Sequence, residues 1–174
     1  MKRLTGGSRR TAHGLLIGTA AVGILDGAFA VARVVAAGGS PLRPFQAVAA
    51  GLLGSAAFRG GGLTAAVGVA LHFVIAAGVV ATYFVASRRV GTLSRHPILC
   101  GALYGLVVYV IMNHVVIPLS ALTPGPRSLS QAVPALLIHV FGVGIPAALA
   151  ARFAKPVGAH RLDAREPVAQ TFQQ

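Results

Sequence analysis

Apolar positions along this chain fall into four long runs, without the alternation that marks a half-buried strand. The runs are His13 to Ala37, Leu63 to Ala86, Pro97 to Leu119 and Ala132 to Phe153. Each exceeds the roughly 20 apolar residues with which a helix crosses a hydrocarbon layer of about 30 Å. A transmembrane barrel would instead need many short segments alternating in period two. The pattern predicts an all-α integral membrane four-helix bundle. Pro97 opens the third run, where a first-turn proline sacrifices no intrahelical hydrogen bond.

A fifth apolar piece, Phe45 to Phe58, lies between the first two runs, bounded by PLRP and RGGG. It is too short to cross unaided, so residues 45–58 are predicted to form a short interfacial or re-entrant helix between spans 1 and 2. That leaves an even number of spans. The domain organisation expected is a basic cytoplasmic N-terminus (1–12), one four-span transmembrane domain (13–153) and a polar cytoplasmic tail (154–174). Between spans 3 and 4, the prolines and glycine of Leu122 to Ser128 (LTPGPRS) predict a rigid turn.

Basic residues test this division. With both ends in the cytoplasm, the inside segments hold Lys2, Arg3, Arg9, Arg10, Arg88, Arg89, Arg95, Arg152, Lys155, Arg161 and Arg165, which is 11 of the 15 Lys and Arg. The outside segments hold Arg43, Arg59 and Arg127, with Arg33 near the outer end of span 1. The excess matches the positive-inside rule for a multi-pass protein of a bacterial cytoplasmic membrane, and a five-span division would break it. The N-terminal KR and RR followed by Ala28–Phe29–Ala30 have the order of a secretory signal, and SRRT that of a twin-arginine start. Asp26 within the apolar region and its continuation through VARVVAA favour a retained first span.

Composition narrows the class further. Of 174 residues 55% are hydrophobic and 10% charged, with a mean hydropathy of +0.76. A soluble domain carries about 25% charged residues, so an ordinary soluble enzyme and a disordered tail are excluded. The net charge of +12 does not identify a nucleic-acid-binding domain in so apolar a chain. It is accounted for by topology and by anionic lipid, the bilayer being the expected partner. One cysteine, Cys100, excludes an internal disulfide framework and any Cys-pair metal or redox motif. The 22 glycines suit helices that approach closely in lipid, while the absence of Trp leaves depth to be set mainly by charges.

Against this background the ionisable and amide groups at membrane depth stand out, because their burial in lipid is costly. Counted from the outer ends of their spans, Asp26, His72, Asn113 and His139 all lie about 9–17 Å deep, one on each helix. They are predicted to form one polar layer. Gly68 shares a helix face with His72, Gly101, Gly105 and Tyr109 with Asn113, and Gly142 and Pro146 with His139. His114 points about 100° away from Asn113, so one of the two at most faces the centre. Arg33 stands two turns above Asp26, placed to neutralise it through water or a snorkelling contact.

Three uses of this layer are open on sequence. It can be an interhelical clasp in a structural or assembly subunit, its members hydrogen-bonding each other. It can be a proton or solute pathway, with Pro118 and Pro146 loosening the backbone nearby. It can hold haem or a metal through His72 and His139, although no tight histidine spacing supports this and no metal site is assigned. Gly60–Gly62 lacks the Lys-Ser/Thr of a phosphate loop, and Ser120, Ser128 and Ser130 have no partner constellation, so no catalytic residue is named. A bundle this small leaves little room for a wide pore, so transport would call for a homo-oligomer or a partner membrane protein.

The stretch from about Thr64 to Arg152 resembles the YagU-type bacterial inner-membrane proteins. The likeness is carried by LHFVIAAGVVATYFVA, by Pro97, Gly101 and Gly105 in a P-x-x-x-G-x-x-x-G pattern, by IPLSALTP and by LLIHVFG. It departs from that family at Asn113, where a histidine is expected, and in its shorter first loop. The resemblance implies inner-membrane residence, an uncleaved first span and His72 with His139 as the pair of interest. It also implies a loose association with acid resistance, which suits side chains that titrate near pH 6.5.

Overall fold

The computed structural model describes residues 3–121 and 128–154. The predicted 122–128 turn, apart from Ser128, and the polar tail lie outside the described residues. No proline interrupts the basic stretch before His13, and α1 is Arg3–Ala36, continuing through Gly6 and Gly7 and starting well before the apolar run. It is followed by α2 (Arg43–Leu53), a 3-10 turn (Gly54–Arg59), α3 (Gly61–Arg89), the single turn α4 (Thr92–Arg95), α5 (Pro97–Leu119) and α6 (Leu129–Phe153). There is no strand among the described residues. Helices α1, α3, α5 and α6 are the four long enough and apolar enough to cross a membrane. Span α3 extends past the predicted Ala86 to Arg89, because Ser87, Arg88 and Arg89 carry no helix-breaking feature.

The spans run up, down, up and down, so Arg9, Arg88, Arg89, Arg95 and Arg152 share one end of the bundle. At this basic end the helices meet on small side chains. The second half of α6 packs on α1, α3 and α5, with Ala147, Ala148, Ala150 and Ala151 buried. A Cβ on Gly14 would stand 2.6 Å from that of Ala154, and one on Gly18 would stand 2.5 Å from that of Ala150. Val80, Tyr83 and Phe84 of α3 complete the core. The Tyr83 hydroxyl donates to the Leu93 carbonyl (3.0 Å) and that of Tyr104 to the Val79 carbonyl (2.8 Å), so neither phenol is buried unpaired. Their rings meet edge to face at 5.1 Å.

At the opposite end α2 and the 3-10 turn pack across α3. The Phe45 backbone lies against Gly68, where any side chain would overlap its carbonyl. Gln46 Nε2 donates to the Gly61 carbonyl (3.0 Å), Thr64 Oγ1 to that of Ala57 (2.6 Å), and the Ala121 amide to that of Gly51 (3.0 Å). Ala49, Ala50 and Ala57 form a small second core with Phe58, and the Arg43 guanidinium sits over the Phe58 ring at 4.6 Å. The segment enters and leaves at the same end without crossing, as its length dictates. Along the spans Leu16, Ile17, Val74, Ile98, Leu99 and Phe141 are exposed. Only 11–28% of each span's most apolar stretch is buried, and such a surface is stable facing hydrocarbon, not water.

Candidate functional site

Two of the four spans are not regular. In α5 the backbone widens to a π turn over Met112–Val116, the Ile117 amide bonding back to the Met112 carbonyl. In α6 it widens over His139–Gly144, with the Ile145 amide bonding to the Val140 carbonyl. Each wide turn is followed at once by a proline, Pro118 or Pro146, whose missing N–H ends the pattern and whose ring crowds the preceding turn. Wide turns of this kind occur frequently at functional sites. Here they fall on Asn113 and His139, two members of the predicted polar layer.

Away from the basic end the spans part around a cavity of about 620 Å³. Asp26, His72, Asn113 and His139 all line it, one from each span, together with Arg33. Its mouth includes Ala37, Gly39 and Gln131, and it descends to Val22, Val79, Val108 and Val143. Below these the buried residues of the basic-end core close it off.

The four polar side chains surround the space but do not bond one another. The His72 Nε2–H donates to the Gly23 carbonyl of α1 (2.9 Å), and its ring stands edge-on to Phe45 and Phe73 at 6.0 and 5.7 Å. The His139 Nδ1–H donates to the Ala135 carbonyl (2.8 Å), with the ring edge-on to Tyr109 at 5.5 Å. Asn113 Nδ2 donates to the Tyr109 carbonyl (2.8 Å), and its Oδ1 is buried with no partner. A carbonyl only accepts, so the bonded ring nitrogens carry the hydrogens; in the neutral imidazoles Nδ1 of His72 and Nε2 of His139 are bare acceptors. Asp26 is half-buried. Among the described residues no hydrogen bond or ion pair reaches its carboxyl group.

The layer predicted from depth is thus one chamber wall, not a network of side chains satisfying each other. Arg33 differs from expectation in its partner: Nη1 donates to the Gln131 carbonyl (2.9 Å) and the guanidinium lies 5.9 Å from the Phe29 ring centre, with no ion pair to Asp26. Its length carries it along the mouth toward α6 instead of down to the acid. Asn113 lines the cavity, whereas His114 is exposed, with Nδ1 to the Val110 carbonyl (3.2 Å). Tyr109 lies behind the wall as the support of both Asn113 and His139. Among the described residues no three His, Cys, Asp or Glu side chains gather where they could hold a metal. Sequence reading missed the wide turns and the Phe45 contact to His72. The two prolines were the available signal for the first, and nothing local signals the second. Comparison with protein-family models, curated proteins and solved structures finds no match to this chain.

Proposed function

We propose that this chain is a proton-handling, transport-like module of a bacterial cytoplasmic membrane, with its basic end in the cytoplasm. The observation that carries the reading is Asp26, a carboxyl group on a cavity wall with no partner among the described residues. An acid locked to an arginine stays charged; one left to the cavity is free to exchange its proton with whatever fills it. His72 and His139 line the same space and, when neutral, each keeps one ring nitrogen without a hydrogen, so three proton acceptors stand on three different helices. The cavity is closed toward the basic end, so passage across the membrane requires a rearrangement, for which the wide turns of α5 and α6 are the yielding points. A second copy or a partner membrane chain would supply the remaining surface. The YagU-type resemblance rests on sequence segments alone and adds an acid-stress setting to the proposal.

The test is proton flux in liposomes containing the purified protein, driven by a potassium diffusion potential and read with a trapped pH dye. Asp26→Asn keeps the shape and removes the exchangeable proton; it is expected to lower the initial rate about a hundredfold, the low end of what one proton-transfer group contributes. Unchanged flux in a folded Asp26→Asn protein overturns the reading. A second reading, that the layer serves only structure in an assembly subunit, is favoured by the His72 bond to Gly23, which ties α3 to α1. On that reading His72→Phe lowers thermal stability in detergent and no variant alters flux.

A further inference from the structure

The polar groups of the cavity are unequal in kind. Asp26 is acceptor-only when ionised, and the free nitrogens of His72 and His139 are acceptors because their neighbours in each ring are spent on backbone carbonyls. Asn113 spends one amide hydrogen on the Tyr109 carbonyl, and its oxygen is sealed without a partner. Among the described residues the one cationic group on the wall is Arg33, which stands at the mouth and donates to the Gln131 carbonyl. With Asp26 ionised and the histidines neutral, the interior presents acceptors and one negative charge. Apart from Gln131 at the mouth the rest of its wall is apolar, with Val22, Ile75, Val79, Met112, Ile138 and Val143 around the polar level. Its volume of about 620 Å³ falls within the 300–1,000 Å³ typical of small-molecule sites.

We infer that the cavity binds an amphiphilic organic ammonium, a cation with N–H donors on an apolar body. The N–H head would bond the Asp26 carboxylate and the free ring nitrogens of neutral His72 and His139, and the body would lie against the aliphatic wall. The proposal rests on the cavity being the working site. An inorganic cation does not fit, since among the described residues no three ligating groups of the metal-binding type converge and most of the wall is hydrocarbon. An anion finds only Arg33, two turns from Asp26 and already bonded. Arg33 instead acts as a like charge at the entrance, about 10 Å from Asp26 along the helix, and weakens cation binding.

The experiment is isothermal titration of the full-length protein in detergent with four probes of one shape: phenethylammonium, phenethyltrimethylammonium, phenethyl alcohol and 3-phenylpropionate. Phenethylammonium is expected to bind, with the trimethyl analogue (charge without N–H) and the alcohol (donor without charge) each at least about tenfold weaker, as loss of one charged hydrogen bond implies. The carboxylate should give no binding heat. Asp26→Asn should weaken phenethylammonium at least about tenfold, and Arg33→Gln should tighten it by up to about tenfold on a Coulomb estimate. Equal binding of the ammonium and the alcohol, preference for the carboxylate, or indifference to Asp26→Asn overturns the proposal. Should Asp26→Asn not fold, His139→Phe, which removes a free ring nitrogen and keeps a ring on the wall, takes its place. It is expected to weaken phenethylammonium but not the trimethyl analogue, and equal loss of both would count against the site. Proton flux in amine-free liposomes separates the two readings. Flux without ammonium binding sinks only this inference, and binding without flux sinks only the proton reading.

Discussion

At the scale of single residues, glycine and polar positions divide the work. Gly68 is occupied from outside by the Phe45 carbonyl, so that α2 lies directly on α3. A methyl there must push the α2 backbone away. Gly68→Ala is expected to lower stability by about 1–3 kcal/mol, the usual cost of overpacking. Gly62→Ala, with nothing within 4 Å of the added carbon, should leave stability unchanged or slightly raised. Thermal unfolding in detergent checks both, and equal behaviour of the two would show that α2 does not pack on α3 in this way. The polar residues of the cavity were legible in the sequence because an aspartate, two histidines and an asparagine are conspicuous in apolar spans. Their partners were not. His72, Asn113 and His139 each bond a backbone carbonyl, and every residue has one, so no side-chain pattern announces which carbonyl is used. The same reason hid the Arg33 bond to Gln131.

At the scale of elements, length and apolar continuity were enough to find the four spans and the short helix between the first two. They could not find the wide turns, because a π turn adds a residue to a turn without changing composition. The prolines are the trace it leaves. Pro146 denies an N–H to the turn that carries His139, and Pro146→Ala restores it, allowing the helix to tighten to ordinary α geometry. The variant is expected to be more stable than the parent in thermal unfolding, by up to about 3 kcal/mol if the full helix-interior penalty of proline is relieved. Tightening rotates the preceding residues about the helix axis and moves the His139 ring from its place on the wall. Proton flux should therefore fall while stability rises. A stabilised variant with unchanged flux would show that the wide turn does not position His139.

At the scale of the whole molecule, a closed end and an open end coincide with the two ends of a charge gradient. The tightly packed alanine and glycine end is the one bearing Arg9, Arg88, Arg89, Arg95 and Arg152. The cavity mouth is at the other. If cationic loops are retained in the cytoplasm, the mouth faces outward, and protons or ammonium ions reach Asp26 from outside the membrane. The chain's single cysteine makes this testable. In a Cys100→Ala background, Arg59→Cys places an exposed thiol at the same end of the bundle as the mouth and Arg89→Cys one at the basic end. A membrane-impermeant maleimide added to spheroplasts is expected to label Arg59→Cys directly and Arg89→Cys only after permeabilisation. The reverse pattern would turn the cavity toward the cytoplasm. Asp26 would then meet the protons of the cell interior, and an acid-stress role, which needs access to the acidified side, would lose its physical basis.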